Sequence, residues 1–571
     1  MERRDFVASL LLLSALASEQ ACRDTEKKAG STAALDDGGG VAGLEPYEGN
    51  WSYEQAAHLL RRTTFGATRK QILQSVAIGL NATIEELFGE LPLPQPPLNY
   101  FFTEDPNVPI GQTWVDAPYL KEVFFEQYRK KSIRAWMIEQ LWGEGLSIRE
   151  QLTLFWHNHF GVSDIVEHKQ EYIHISLLRT YAWGNFKELV KKITIDPAML
   201  RFLNGRDNAA IAPNENYARE LLELFTVGKG SLAGDGDYTT FTEQDVREIA
   251  RAMTGWTDTG FYTHDPNERI ESVYNDKAHD QFEKQLSHRF GNVRIPPMGK
   301  EEYAHVIDLI FEQEHTALHI CRKLYRWFVH HLIDESIEKQ IITPLAQQLR
   351  KENYVIQPVL KKLLSSRHFY SKLNDAPKIK NPMEFIIGAL KQLEVVMPDD
   401  LSSRYHFCHY LFELGALMQM ELFKPPGVAG WKAYYQAPQF DRNWINASTL
   451  QCRTQFTDAL TNINGMDSMS GNSERVKLNP ISLLSELDNP ADPDKLIAQL
   501  ATLLFMHPIT VNQQNLLKEV LLGGLPDYEW TKNCQSFLKQ QPASPEITHA
   551  ISKRLHGLLA FMLKMPEYYL F

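Results

Sequence analysis

The sequence predicts a mostly α protein: one large multi-helix body with long loops and at most a short β-hairpin. Three observations carry this. Apolar residues recur three and four apart along most of the chain from Trp51 onward, the signature of helices with one buried face. Alternating apolar and polar runs are scarce, and the stretch 270–298 is the best candidate for a hairpin. No internal repeat recurs at the 20–50-residue period of a solenoid.

The elements follow in order. Tyr53–Arg62 has helical apolar spacing and ends before Gly66. A second pattern covers 117–142. Ser147-Ile148-Arg149-Glu150 reads as a capping box, opening a helix that runs to Phe160 and stops at Gly161. Asn214, after Pro213, is the expected N-cap of a helix ending before Gly228. Thr242-Glu243-Gln244-Asp245 starts another, running through Val246, Ile249, Ala250 and Met253 to Gly255. Helical patterns continue at 301–332, 336–350, 356–366, 382–394, 405–421, 444–463, 493–506 and 545–565. Pro-rich and polar linkers at 91–116, 257–300, 396–403, 423–443 and 465–492 mark no clean boundary. The expected division is a single body over 50–571, looser from about 465.

Composition excludes several classes. Among 571 residues, 59 are basic and 71 acidic, a net charge of −12. Nucleic-acid binding, which needs a basic surface to neutralise phosphates, is therefore not expected. Apolar residues at 43% are too many for general disorder, and five cysteines are too few for a disulfide scaffold. Cys321, Cys408, Cys452 and Cys534 match no metal-knuckle spacing and are expected as buried free thiols.

Met1–Ala21 reads as an export signal, with Arg3 and Arg4 before the apolar run Val7–Ala17 and a small-residue Ala15-Leu16-Ala17 end. That run rises only about 16 Å as a helix, about half of a hydrocarbon core. Arg3-Arg4-Asp5-Phe6-Val7 resembles a twin-arginine signal, so the expected location is periplasmic or outer-membrane associated. A lipid on Cys22 is the one membrane contact left open; a lipobox wants an aliphatic residue where Glu19 stands. Residues 22–49 are charged and Gly-rich, as in a flexible tether.

Several residues could carry chemistry. In Trp156-His157-Asn158-His159-Phe160, two imidazoles two apart diverge on a helix, so His157 and His159 are candidate metal ligands only with distant partners; the alternative is a core and a capping histidine. Glu220 and Glu223 lie three apart on one helix face, where mutual repulsion raises one carboxyl's pKa as acid–base work requires. A surface ladder through Glu215, Arg219 and Glu223 is the competing reading. His279 and Asp280, with Lys284 nearby, sit in a loop-rich stretch that can present both to one cleft. Arg219 and Arg251 are candidate anion holders, and Trp256 and Trp431 candidate faces for a sugar ring.

Together these segments resemble the bacterial family called domain of unknown function 1800. The match rests on Ala57-His58-Leu59-Leu60-Arg61-Arg62-Thr63-Thr64-Phe65-Gly66, the Phe155–Phe160 cluster, Asn214–Gly228, Tyr238–Trp256, and His279-Asp280 with Lys284. Arg322-Lys323-Leu324-Tyr325, Phe423-Lys424-Pro425-Pro426-Gly427-Val428-Ala429-Gly430-Trp431 and Pro566-Glu567-Tyr568 complete it. The form around Trp431–Gln436 and Asn443–Asn446 is similar to the branch in Bacteroidetes-type bacteria. The resemblance implies an exported, mostly helical protein, often encoded beside sulfatase-like proteins of the domain of unknown function 1501 family, and it brings no catalytic residue set.

Two functions are expected to compete. One is an envelope enzyme in which Glu220, Glu223, His157, His279 and Asp280 line a cleft and hydrolyse a glycan or an anionic ester by acid–base or divalent-metal chemistry. The other is a non-catalytic protein that binds a glycan or the sulfatase-like partner, with the same residues as ion pairs and caps.

Overall fold

The computed structural model describes residues 42–121, 125–371, 378–467, 475–539 and 544–571. The expected export signal, the tether up to residue 41 and Cys22 lie outside the described residues.

Helices dominate. The first set is α1 (Tyr53–Thr63), α2 (Arg69–Ile78), α3 (Leu80–Leu87), α4 (Glu126–Gly143), α5 (Arg149–His159), α6 (His168–Thr180), α7 (Phe186–Thr194) and α8 (Pro197–Phe202). Next, α9 (Glu215–Glu220) continues into a π turn, Leu221–Phe225, and is followed by α10 (Glu243–Ala252), α11 (Glu302–Glu312) and α12 (Glu314–Phe328). After α13 (Glu335–Ile337) come α14 (Thr343–Lys351), α15 (Ile356–Leu364), α16 (Pro382–Gln392), α17 (Leu401–Leu417) and α18 (Ala447–Leu460). The C-terminal set is α19 (Pro480–Leu484), α20 (Pro493–Leu504), α21 (Val511–Leu522), α22 (Asp527–Lys539) and α23 (Pro545–Met562). One apolar core runs through all of it, from Ala56 and Leu59 to Leu559 and Tyr568. The α4 and α17 helices pack side by side as its longest seam.

Among the described residues, strands occur only as antiparallel two-stranded pairs. The expected hairpin in 270–298 is the short pair Lys284–Gln285 with Arg294–Ile295, while Glu271–Tyr274 pairs back onto Trp256–Thr259. No helix among the described residues is long and apolar enough to cross a membrane.

Capping follows the sequence at two of three expected sites. Asn214 accepts from the Asn216 N–H, and Thr242 with Asp245 forms a capping box. The box expected at Ser147 does not form. Ser147 Oγ accepts from the Arg149 N–H, but the Glu150 carboxylate turns inward to Arg179, at 2.6 and 2.8 Å. Both charges are buried, and a bidentate guanidinium is a stronger partner there than a backbone amide. Cys321, Cys408 and Cys534 are buried free thiols, and Cys452 is half-buried.

Candidate functional site

The sequence ArgGluGlnLeuThrLeuPheTrpHisAsnHis of α5 is buried on every side from Glu150 to His159, so its polar residues must find partners inside the protein. Two of them are met by the loop after α17. His157 Nε2 accepts the Phe423 N–H at 3.0 Å, and Asn158 Oδ1 accepts the Trp431 N–H at 2.9 Å. The two segments touch closely: a Cβ on Gly161 would lie 2.6 Å from the Gly427 carbonyl oxygen. Trp431 is 3% exposed and its ring packs edge-on against His157, so it offers no open face to a sugar.

His159 points elsewhere. Its Nε2 meets the Phe225 carbonyl at 3.1 Å and its Nδ1 meets Lys323 Nζ at 3.0 Å. The π turn frees the carbonyls of Leu224 and Phe225, and Lys323, His319 and His159 satisfy them. Thus the two histidines cannot hold one ion, as helical spacing requires. Among the described residues no three His, Cys, Asp or Glu side chains are arranged to hold a metal.

The α6 helix faces His157 across a small cavity. His174 Nδ1 lies 3.0 Å from Asp196 Oδ2, and the same oxygen caps α8 through the Met199 N–H. A carboxylate only accepts, so His174 carries a proton on Nδ1 and turns Nε2 away from Asp196. His157 is the reverse: Nε2 accepts, so Nδ1 carries the proton. Both remaining nitrogens, His157 Nδ1 and His174 Nε2, are buried and have no hydrogen-bond partner among the described residues. Both rings line one cavity of about 10 Å³, the size of a single water, with Glu171, Ile165 and Phe423. Burial holds the His157 pKa down to about 3, helped by the neighbouring His174.

Ile165, Glu171 and Phe423 also form the inner wall of an open cleft of about 500 Å³. Inside it, His168 Nδ1 sits 2.5 Å from Glu171 Oε2, and its Nε2 is 3.6 Å from Glu126 Oε2. Tyr119 donates to the other Glu126 oxygen at 2.6 Å. Lys130, Arg134 and Lys424 stand on the rim, Arg134 with Glu421 at 3.1 Å and Lys424 with Asp164 at 3.4 Å. Three cleft residues adopt left-handed backbone: Asp164 (φ 56°), Tyr262 (φ 50°) and Phe423 (φ 63°). Aspartate tolerates this, but two aromatic residues there store strain, which collects at working sites.

The other expected site residues fall into two separate groups. Arg219 grips Glu243 at 2.8 and 2.7 Å and Glu215 at 3.1 Å; Glu223 meets Lys229 at 2.9 Å. Half-buried Glu220 is beside Glu223, and burial followed by that neighbour raises its pKa. His279, Asp280, Lys284 and Arg251 gather around Glu302, a residue the sequence reading passed over. Lys284 Nζ lies 2.5 Å from Glu302 Oε1, His279 Nε2 is 3.3 Å from Oε2, and Arg251 holds Asp280 at 2.8 Å. Trp256 is half-buried against Tyr274 and Tyr303. Among the described residues no hydrogen bond or ion pair joins Glu220 or Glu223 to the His279 group, or either to His157.

The motifs that close the cleft and the core between them run across the length of one family model. It matches residues 58–570. The chain belongs to the DUF1800 family, proteins of unknown function. No curated protein and no solved structure matches this DUF1800 chain. Its site residues His168, Glu171, His174 and Asp196 escaped the sequence reading, although His168, Glu171 and His174 recur every third residue on α6.

Proposed function

We propose that this DUF1800 protein is an exported hydrolase that acts on a glycan or an anionic ester with a histidine pair in the water-sized cavity behind the inner wall of its cleft. The supporting observation is a pair of buried nitrogens, His157 Nδ1 and His174 Nε2, that have no partner among the described residues and face one water-sized cavity. A water there accepts from His157 and donates to His174. In the reaction His174 Nε2 takes the water proton as the oxygen bonds to the substrate and hands that proton to the departing oxygen. Asp196 fixes the His174 tautomer and steadies the imidazolium that forms. Location outside the cytoplasm rests on residues 1–21.

The test is a panel of chromogenic esters and glycosides with the purified chain and its His174→Gln variant. Hydrolysis that falls 10²–10⁴-fold in the variant, the usual range for a lost general base, supports the reading. Turnover unchanged by the substitution removes it. The ion pairs Arg219–Glu243 and Arg251–Asp280 favour the second reading, a non-catalytic binding protein, for the residues first suspected of chemistry.

A further inference from the structure

The α12 helix turns a basic stripe away from the core. Ala317, Ile320, Cys321, Leu324 and Phe328 are buried, so His319, Arg322, Lys323 and Arg326, at helical spacings of three and four, share its other face. The carboxylates on neighbouring segments are committed elsewhere: Glu338 to Arg322 at 2.6 Å and Glu223 to Lys229 at 2.9 Å. Among the described residues no carboxylate lies within ion-pair distance of Lys323 or Arg326. Arg326 donates only through Nε, to the His331 carbonyl at 3.3 Å, which leaves both its Nη groups without an acceptor among the described residues.

The Lys323 amine is fixed in direction. Its Nζ donates to the Leu224 carbonyl at 2.9 Å and to His159 Nδ1 at 3.0 Å. His159 can accept there because its Nε2–H goes to the Phe225 carbonyl, while burial and then Lys323 itself keep the ring neutral. Two of the three positions on Nζ beyond Cε are thereby held, and the third carries either a proton or the lone pair. Burial, then Arg326, pushes the Lys323 pKa down to about 7. Unbalanced neighbouring cations favour loss of the proton, the arrangement that makes a lysine nucleophilic. The side chain is half-buried, so it is not sealed in the core.

We propose that Lys323 forms an imine with a small carbonyl compound whose carboxylate or phosphate rests on the free Nη groups of Arg326. The Nζ lone pair adds to the carbonyl carbon. The carbonyl oxygen takes the two hydrogens that the nitrogen gives up and leaves as water, and a C=N bond remains. No oxidant or reductant enters. Once protonated from solvent, the imine has one N–H, for His159 Nδ1, while the Leu224 carbonyl keeps the His319 Nε2–H at 3.0 Å. Such a cation draws electrons from bonds to the neighbouring carbon, the use that carbonyl-activating lysines serve. This site lies beyond His159, on the side of α5 turned away from His157, and does not depend on the hydrolase reading.

The experiment is reductive trapping of the full chain with cyanoborohydride at pH 7, followed by peptide mapping with mass spectrometry. The probes are two pairs, glyoxylate against acetaldehyde and pyridoxal phosphate against pyridoxal, with exposed Lys339 of the same chain as the internal standard. An ordinary lysine is almost wholly protonated at this pH, so Lys323 is expected to be trapped at least tenfold faster than Lys339. Relative to Lys339, the anionic member of at least one pair is expected to outpace its neutral counterpart at Lys323 at least fivefold, and the larger ratio identifies the anion. Arg326→Gln should abolish that preference and Lys323→Arg the adduct. Trapping at Lys323 no faster than at Lys339, or without preference in either pair, overturns the proposal, as does a preference that survives Arg326→Gln. The first two outcomes are read on the parent chain, so a variant that fails to fold does not shelter the proposal.

Discussion

The Phe423 backbone N–H donates to His157 Nε2 across 3.0 Å, joining residues 266 positions apart. That bond decides which nitrogen of His157 is protonated and hence what the cavity is offered. A side chain in place of His157 must therefore satisfy the Phe423 amide as well as fill the space. His157→Gln keeps an acceptor within reach, whereas His157→Leu leaves a buried amide unpaired, a cost of about 1–3 kcal/mol. Thermal unfolding of the two variants should rank them in that order.

Asp196→Asn separates the charge from the tautomer. One oxygen, Oδ2, meets both His174 Nδ1 and the Met199 N–H, so the amide keeps its oxygen there and the ring keeps its proton on Nδ1. Stability should change little. Nitrogen-15 shifts of the His174 ring should keep their assignments, while any hydrolysis falls because no anion steadies the imidazolium. A ring proton that moves to Nε2 in the variant contradicts the assignment.

Glu302 carries the charge balance of the second buried group. It faces Lys284, at 2.5 Å, and His279, at 3.3 Å, and all three side chains are essentially unexposed. Glu302→Gln removes the anion and leaves a buried ammonium without its closest partner, a loss of about 3–5 kcal/mol. Denaturant unfolding checks this. Partial recovery in Glu302→Gln/Lys284→Met would show that the unpaired charge, rather than the shape, is responsible.

Buried neutral histidines set an acid limit. Burial holds His58, His157 and His319 down to about 3 in the folded chain, from 6.5. Above pH 6.5 these rings are neutral in both states and add no pH dependence. Between pH 6.5 and 3 the unfolded chain binds protons that the folded one refuses, so stability falls with acid. Each ring contributes about 1.4 kcal/mol per pH unit, about 4 kcal/mol together. Urea midpoints measured from pH 7 to pH 4.5 should drop steeply, and less steeply in His319→Gln.

The apolar periodicity made most helices legible: patterns at 382–394 and 545–565 became α16 and α23 with ends shifted by a few residues. The helix that matters most for the site left no such trace. α6 opens HisLysGlnGlu, all four buried, and starts at Glu167 without a side-chain cap. A period search looks for apolar faces, and here the inward face is polar because it lines a cleft. Likewise, Glu150 beside Ser147 spells a capping box, and only Arg179, 29 residues away, diverts it. The His157 motif and the Phe423–Trp431 motif were both visible; their contact was not, since spacing along a chain says nothing of closure across 266 residues.

That closure depends on Gly161, and a paired substitution measures it. A Cβ at Gly161 would stand 2.6 Å from the Gly427 oxygen and 2.8 Å from that of Val428, both backbone atoms that cannot rotate away. Gly161→Ala must therefore push the 423–431 loop from the end of α5, straining the bonds from Phe423 and Trp431. Overpacking of this kind costs about 1–3 kcal/mol. Gly143, the last residue of α4, is the control, because a Cβ there meets nothing within 4 Å. Gly143→Ala should be neutral or stabilising by up to about 1 kcal/mol, through lost freedom in the unfolded chain. Calorimetry should find the Gly161 variant alone destabilised, and amide exchange should show the Phe423 N–H opening faster in it than in Gly143→Ala. Equal protection of that amide in both variants would mean the loop is held by contacts other than the one to His157.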